Sequence, residues 1–143
     1  MPTERKPWSR GKKLMIGIAA VFLLITVPLS AYLFREMYEA KQVYNSFNED
    51  WIAKDYPKAI NLITPGLDPD AARKSFLDFF KLMDSRAGAL RSFKSGGINT
   101  QEDAIGSRTT IHAHLIFERG EADFVYTLKK TRDHWYIDKI DQE

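Results

Sequence analysis

The sequence predicts an α+β fold in which an N-terminal transmembrane helix precedes three helices packed on a twisted antiparallel sheet of about four strands. Two observations predict this order. Residues 14–34 contain no charged side chain, and the helical patterns of apolar residues come before Gly88, whereas the alternating strand patterns follow it. Helices grouped before strands are typical of α+β proteins rather than of alternating α/β proteins. We therefore expect a basic tail at residues 1–13, a membrane helix at 14–34 and one folded domain at 35–143.

The apolar run from Leu14 to Phe34 is long enough to cross a bilayer. A helix rises about 1.5 Å per residue, so the run covers roughly 30 Å, the thickness of the hydrocarbon core. A buried helix of a small domain normally carries a polar face, whereas this run has apolar residues, such as Phe22, on every side. Pro28 is tolerated inside a membrane span. The lipid bilayer is thus the first predicted partner, through residues 14–34.

Basic residues predict the orientation of this span. Five Lys or Arg precede it, whereas Glu36 and Glu39 follow closely on its far side. The positive-inside rule therefore places the N-terminus in the cytoplasm and residues 35–143 outside it, in a single-pass protein of the inner or plasma membrane. A cleaved signal peptide is the alternative, because it shares the basic start and the apolar core. We favour a retained span, because a signal core is typically about 7–15 residues and Leu29 or Pro28 would fill a small-residue position of the cleavage site.

Charge is unevenly distributed along the chain. The formal net charge is +2, but five basic residues oppose Glu4 before the span, and 16 Lys or Arg oppose 18 Asp or Glu from Arg35 onward. The isoelectric point near 8.8 therefore reflects the tail, and nucleic-acid binding by the domain is not indicated. Cysteine is absent, which excludes disulfides, thiolate metal sites and lipoprotein attachment.

The first helix of the domain is expected to continue the membrane span. Val43, Phe47 and Trp51 recur at every fourth position within residues 35–53, which gives this segment one apolar face. No helix-breaking residue separates it from the span. The two segments are therefore predicted to form one rod that holds the domain close to the bilayer.

Two further helices are expected before Gly88. Pro57 suits the first turn of a short apolar helix, which the sequence Thr-Pro-Gly at residues 64–66 ends. Asp68 can cap a third helix, with Pro69 at its first position, and Gly88 suits its C-terminal cap. The apolar stripe of this helix, which is expected to pack on the sheet, consists of Phe76, Phe79, Phe80 and Met83.

Four strands are expected after Gly88, since apolar and polar residues alternate there with turn residues between them. Gly96 and Gly97 suggest a bulge in the first strand, and residues 99–107 are expected to form a polar loop. The strands are placed near residues 90–98, 108–118, 123–130 and 134–140. The side chains predicted to line the core, or a pocket between sheet and helices, are Phe76, Phe80, Met83, Leu115, Phe117, Tyr126 and Trp135.

This order of elements resembles the NTF2-like roll, also called cystatin-like. Members often have a W-x-x-x-D-Y-like break after the first helix, here Trp51 to Tyr56, and a G-x-W-x-I-like last strand, here Asp133 to Ile137 without the usual Gly. The resemblance covers residues 36–143, and it includes bacterial families of unknown function that place such a domain after a single membrane span. It implies a cone between sheet and helices. It implies fold more than activity, because this fold hosts both enzymes and inert binding modules.

His112 and His114 are the strongest local candidates for a metal site. Their spacing on a strand puts both imidazoles on one face, close enough to share a metal, and Asp123 or His134 could supply a third ligand. That face lies opposite the predicted inward face, however. We therefore favour a solvated or interface pair, and we predict no metal and no cofactor.

The sequence offers no recognisable catalytic constellation. The resemblance implies that enzymes of this fold place Asp, His or Tyr inside the cone. Among the inward side chains predicted for the second and third strands, Tyr126 alone carries a polar group. Nucleophile, phosphate-loop and Glu-x-x-His motifs are absent. Lys129, Lys130 and Arg132 are expected to form a solvated edge, with a docking patch for anionic lipid or an acidic partner as the alternative.

These observations favour a binding or assembly module without catalytic activity. Its partner is expected to be a protein near the outer membrane surface, and a homodimer through the sheet is a further expectation. Two alternatives stay open. One is a small-ligand binder or enzyme that uses the cone. The other is a respiratory-complex assembly factor, since the chain resembles the cytochrome-oxidase-assembly group in combining one anchor with an α+β domain.

Overall fold

The computed structural model describes residues 9–66 and 68–143. The chain divides into two compact units, with the boundary between Arg35 and Glu36. Helix α1 extends over Arg10–Ile52. Before the boundary its apolar side chains are exposed, and its most apolar 18-residue window has a mean hydropathy of 2.4. This segment is therefore long and apolar enough to be a membrane span or a signal sequence.

Two hydroxyl groups of this apolar segment form hydrogen bonds within the helix. The Thr26 hydroxyl donates to the carbonyl of Phe22 at 2.9 Å, and the Ser30 hydroxyl donates to the carbonyl of Thr26 at 2.8 Å. A hydroxyl bonded to its own helix leaves no unpaired donor toward lipid, which suits a helix in a membrane.

The two predicted helices before Gly88 are confirmed as α2 (Tyr56–Ile60) and α3 (Pro69–Ala87). Asp68 caps α3, because its Oδ1 accepts hydrogen bonds from the backbone N–H groups of Asp70 and Ala71, each at 3.1 Å. Gly88 ends α3 at φ +80°, and a Cβ there would lie 2.8 Å from Glu118. Both caps satisfy groups that a helix end leaves without an intrahelical partner.

The sheet is an antiparallel meander with the order β1-β2-β3-β4. It confirms the prediction of four strands, although each strand is longer than the sequence pattern indicated. The gap between Ser95 and Ile98 in the pairing of the first two strands is the predicted irregularity at the two glycines. The strands are β1 (Leu90–Asp103), β2 (Gly106–Phe117), β3 (Gly120–Thr131) and β4 (His134–Gln142).

The predicted polar loop at residues 99–107 is wrong. Strand β1 continues to Asp103, and its pairing with β2 runs from Asn99 opposite Thr110 to Asp103 opposite Gly106. These residues are mostly exposed, so they show no apolar alternation. The ladder is nevertheless complete, because backbone groups form it whatever the side chains are. The result is a long hairpin whose turn is Ala104-Ile105.

The core lies between the inward face of the sheet and the helices α1 and α3. The ring of Trp51 lies 5.1 Å from that of Phe80 and 5.8 Å from that of Phe117. Tyr56 stacks on Phe80 at 4.8 Å and donates its hydroxyl to Asp84 at 2.6 Å, which ties α2 to α3. The connection from α2 to α3 also covers the free edge of β4, through a parallel bridge of Ile63 to Ile137.

Candidate functional site

The interior of the cone contains a closed polar network. Tyr126 on β3 donates its hydroxyl to the Asn48 Oδ1 at 2.8 Å, and the Asn48 Nδ2 donates to the carbonyl of Tyr44 at 2.9 Å. The Tyr44 hydroxyl reaches the carbonyl of Lys94 at 3.4 Å. Burial raises the pKa of Tyr44 to about 12, and burial also raises the pKa of Tyr126 well above its usual value. Both hydroxyls are therefore protonated donors at neutral pH, and they are engaged by the protein itself.

Aromatic rings fill the rest of this interior. Phe47, Trp51 and Phe80 are fully buried and in mutual ring contact. Of the predicted lining residues, Phe76 and Met83 are only half-buried, on the open side of α3. The others lie inside the core, namely Phe80, Leu115, Phe117, Tyr126 and Trp135. The interior is thus a packed core with a hydrogen-bonded centre.

An open groove lies beside Phe76, between α3, the chain that follows α2, and β4. Its volume is about 240 Å³, and its walls combine apolar groups such as Ile60 and Pro65 with polar groups from Arg73 and Tyr136. A guanidinium and a phenol next to apolar walls can hold a small amphipathic anion. Sequence reasoning missed this groove, because Arg73 and Tyr136 are far apart in sequence and share no local pattern.

The two histidines of β2 point away from the core, as predicted. The His112 Nδ1 lies 2.7 Å from the Glu143 Oε1. The His114 Nδ1 lies 2.7 Å from the Asp123 Oδ1, and its Nε2 lies 3.3 Å from the Glu121 Oε2. The imidazoles therefore engage different carboxylates. Across residues 9–66 and 68–143, no group of three His, Cys, Asp or Glu side chains is placed to hold a metal ion.

The second ligand candidate of the sequence, His134, is not near this pair. His134 pairs with Thr131 at one end of β3, whereas Asp123 pairs with His114 toward the other end. Asp123 does meet His114, but as a hydrogen-bond partner on the neighbouring strand. This part of the outward sheet face thus carries histidine–carboxylate hydrogen bonds.

The stability of the domain is expected to depend on the protonation of His114. The hydrogen bond to Asp123, and secondarily the one to Glu121, raises the pKa of His114 above 6.5. A raised folded pKa means that this stabilisation is fully present below the unfolded pKa and is lost as the pH rises through the folded pKa. We expect the unfolding midpoint of the wild type to fall toward that of His114→Gln over this range. The measurement is chemical denaturation at several pH values on either side of 6.5.

Asp123→Asn gives the matched control for this pH dependence. It removes the carboxylate that contributes most to the raised pKa and keeps the size of the side chain. At low pH, His114→Gln is expected to lower the unfolding midpoint. We expect this effect to be smaller when Asp123→Asn is also present. An unchanged effect of His114→Gln would mean that Asp123 is not the group that raises the pKa of His114.

The expected solvated edge at the end of β3 is wrong for Lys130. Lys130 shares the inward parity of Tyr126 and Leu128, and its Nζ lies 2.6 Å from the Glu36 Oε1 and 3.8 Å from the Glu39 Oε2. Glu36 is 2% exposed. Strand alternation turns Lys130 inward, and the buried carboxylate on α1 gives it a partner. Lys129, one residue earlier, faces outward.

No protein-family model and no curated protein sequence matches the chain. Aln2 from a Streptomyces species has a similar structure, with a TM-score of 0.56 at 13% identity, over 76% of this chain and 90% of Aln2. A protein of Novosphingobium aromaticivorans, provisionally named a scytalone dehydratase, has a TM-score of 0.51 at 12% identity, over 80% of this chain and 87% of its own. Both have the NTF2-like fold, which includes ligand-binding proteins and enzymes. The chain is therefore similar to NTF2-like proteins in fold, as the sequence resemblance predicted.

Proposed function

We propose that this protein is anchored by one membrane span and that its NTF2-like domain acts outside the cytoplasm as a binding or assembly module without catalytic activity. The observation that supports it most is the packed interior of the cone. There Tyr126 and Asn48 bind each other, and Trp51 and Phe80 occupy the space beside them. A site that turns over a substrate needs polar groups free to meet it, and the Tyr126 hydroxyl and the Asn48 side chain already have protein partners.

The outward face of the sheet is the surface that we assign to the partner. It presents polar pairs from three strands, including His112 with Glu143, where the imidazole is charged only when it is protonated, and the half-buried ion pair of Lys129 with Asp138. Exposed charged pairs on a rigid sheet can exchange partners at a protein interface, where they contribute register and association rate. The partner is therefore expected to carry complementary charges of both signs near the outer membrane surface.

Site-specific photo-crosslinking in intact membranes tests this assignment. A photoreactive residue in place of His112 samples the outward sheet face, and one in place of Asp78 on the exposed side of α3 is the control. We expect a discrete crosslinked protein from position 112 and none from position 78. A product of twice the mass of the chain would indicate a homodimer through the sheet instead. Equal diffuse labelling at both positions would contradict a dedicated partner surface.

Proteolysis tests the proposed topology. Protease added outside spheroplasts is expected to digest residues 36–143 and to leave a fragment that contains the apolar segment. Protection of the domain until the membrane is dissolved would place it in the cytoplasm. A chain released by alkaline carbonate would indicate that the apolar segment has been removed as a signal sequence.

Ligand binding is the second candidate function, and the groove beside Phe76 favours it. Arg73 and Tyr136 line this groove beside apolar walls, and a guanidinium with a phenol can bind a small carboxylate that has an apolar body. A thermal-shift series with short aromatic and aliphatic carboxylates tests this candidate, with Arg73→Ala as the site variant and Arg86→Ala on the same helix as the control. Stabilisation that Arg73→Ala alone abolishes would support it, and equal responses of the two variants would contradict it.

The respiratory-complex alternative stays a prediction of partner identity. It requires the crosslinked protein at position 112 to be a subunit of a respiratory complex. Mass spectrometry of that product decides between this alternative and another membrane or surface protein.

A further inference from the structure

We infer that the tip of the β1–β2 hairpin, Ala104-Ile105, docks into the phospholipid interface of the membrane that anchors the chain. The inference rests on the proposed membrane span. It adds a second point of contact between the domain and the bilayer, made by a turn whose partner is the lipid itself.

The tip presents an apolar side chain on a preformed turn. Ile105 is 87% exposed, the highest value among the large apolar side chains of the described residues. The backbone N–H of Ile105 donates to the Asp103 Oδ1 at 2.8 Å, and Gly106 takes φ +130° just after it. One exposed apolar residue is common on a protein surface. Its position on this domain is the reason to assign it a partner.

The tip lies at the end of the sheet that is next to Glu36, the first residue of the domain. Lys130 contacts Glu36 at 2.6 Å, and a Cβ at Gly106 would lie 3.7 Å from the carbonyl of Lys130. Glu36 follows Phe34, the last residue of the predicted span, by two positions. At about 3.6 Å per residue, their Cα atoms are at most roughly 7 Å apart. The headgroup layer is roughly 5–8 Å thick on each side of the hydrocarbon core, so the covalent link keeps Glu36 within reach of that layer when the proposed span is in the bilayer.

Polar groups beside the tip suit a lipid phosphate. A surface depression of about 80 Å³ is lined by Ser107, Arg108, Lys129 and Thr131, among others. Lys129 is engaged by Asp138. The Arg108 Nε is buried and has no hydrogen-bond partner among the described residues. The Ser107 hydroxyl already donates to the Glu102 Oε1 at 3.3 Å. A phosphate oxygen would accept from the Arg108 guanidinium and from the Thr131 hydroxyl, while Ile105 enters the boundary of the acyl chains.

Acidic residues at the same end decide which lipid is needed. Glu102, Asp103 and Asp133 are exposed there and offset the cations Arg108 and Arg132. An end of balanced charge gains little from a negative surface potential. We therefore commit to the phosphate and acyl boundary that all phospholipids share, so zwitterionic phosphatidylcholine is expected to suffice and added salt is expected to change the docking little.

The absence of cysteine makes a clean test available. Ile105→Cys, labelled with an environment-sensitive fluorophore, reports on the tip in the full chain reconstituted into phosphatidylcholine vesicles. Leu24→Cys reports on the span. Glu121→Cys, which pairs with Ile116 and so lies roughly 35 Å along the sheet from the tip, is the control for an exposed residue. Each label is quenched with nitroxides carried on the lipid.

We expect strong quenching at positions 24 and 105 and several times less at position 121. Quenching at 24 with equal, weak quenching at 105 and 121 would overturn the docking and leave the anchor intact. Weak quenching at 24 would overturn the anchor, and the inference with it. Adding Arg108→Gln to Ile105→Cys is expected to weaken quenching at 105 with an unchanged unfolding midpoint. Unaltered quenching would contradict the phosphate contact.

Discussion

Trp51→Ala is expected to lower the free energy of unfolding of the domain by about 3–5 kcal/mol, the usual cost of removing a buried large aromatic side chain. Trp51 is almost fully buried and contacts Phe79, Phe80 and Phe117. Its removal leaves a cavity where the two helices and the sheet meet, and close-packed surroundings relax only in part. Urea denaturation of the full chain in detergent, followed by near-ultraviolet circular dichroism, measures the change.

Tyr38→Ala is the matched control on the same helix. Tyr38 is 62% exposed, so the same loss of an aromatic side chain leaves no internal cavity. We expect its effect to be within about 0.5 kcal/mol, as for most surface substitutions. Similar losses for both variants would mean that helix α1 contributes to stability as a whole and that the aromatic cluster is not its main contact.

Lys130→Met is expected to destabilise the domain by about 3–5 kcal/mol, because it leaves a buried carboxylate without its cation. Glu36 is 2% exposed, and the Lys130 side chain is 19% exposed. A carboxylate that is isolated from water is costly, whereas the intact pair contributes little net stability. The effect therefore measures the cost of an orphaned charge. The measurement is the same urea denaturation at neutral pH.

The double variant Glu36→Leu with Lys130→Met separates these two quantities. It replaces both charges with apolar groups of similar volume, and we expect it to recover most of the loss. Lys129→Met is the matched control, since Lys129 pairs at the surface with Asp138, where such pairs contribute about 0–1 kcal/mol. A double variant as unstable as Lys130→Met alone would show that the lysine stabilises the domain through another contact.

Local chemistry allowed most of the fold to be predicted. Asp68, Pro69 and Gly88 mark the two ends of α3. The alternation of apolar and polar residues along β2 places Leu115 and Phe117 on the buried face. Helix caps and strand alternation depend on residues within a few positions of one another, and tertiary packing agrees with them here. The prediction of a loop at residues 99–107 was wrong because this part of the hairpin is mostly exposed. Exposed strands need no apolar side chains, so the sequence shows no alternating pattern there.

The candidate sites depend on distant residues, which is why the sequence predicted them less well. Asn48 is a polar residue inside an apolar stripe, and its partner Tyr126 lies 78 positions later. The signal for Asn48 is its spacing of four from Tyr44 and three from Trp51, which puts it on the buried face. Lys130 could likewise have been assigned inward from its parity with Leu128. The groove at Arg73 has no such signal, because only the completed fold brings β4 beside α3.

The partners of α1 have a consequence for synthesis of the chain. The aromatic face of α1 contacts residues of the sheet, such as Phe117 and Tyr126, which the ribosome adds roughly 70 residues later, about 4–14 s at typical elongation rates. Until then Phe47 and Trp51 have no sheet to cover them. The edge of β4 is covered by Ile63 only when Ile137 has emerged. The packing of α1 on the sheet is therefore a late event of synthesis, and the aromatic face of α1 lacks its sheet partners during that interval.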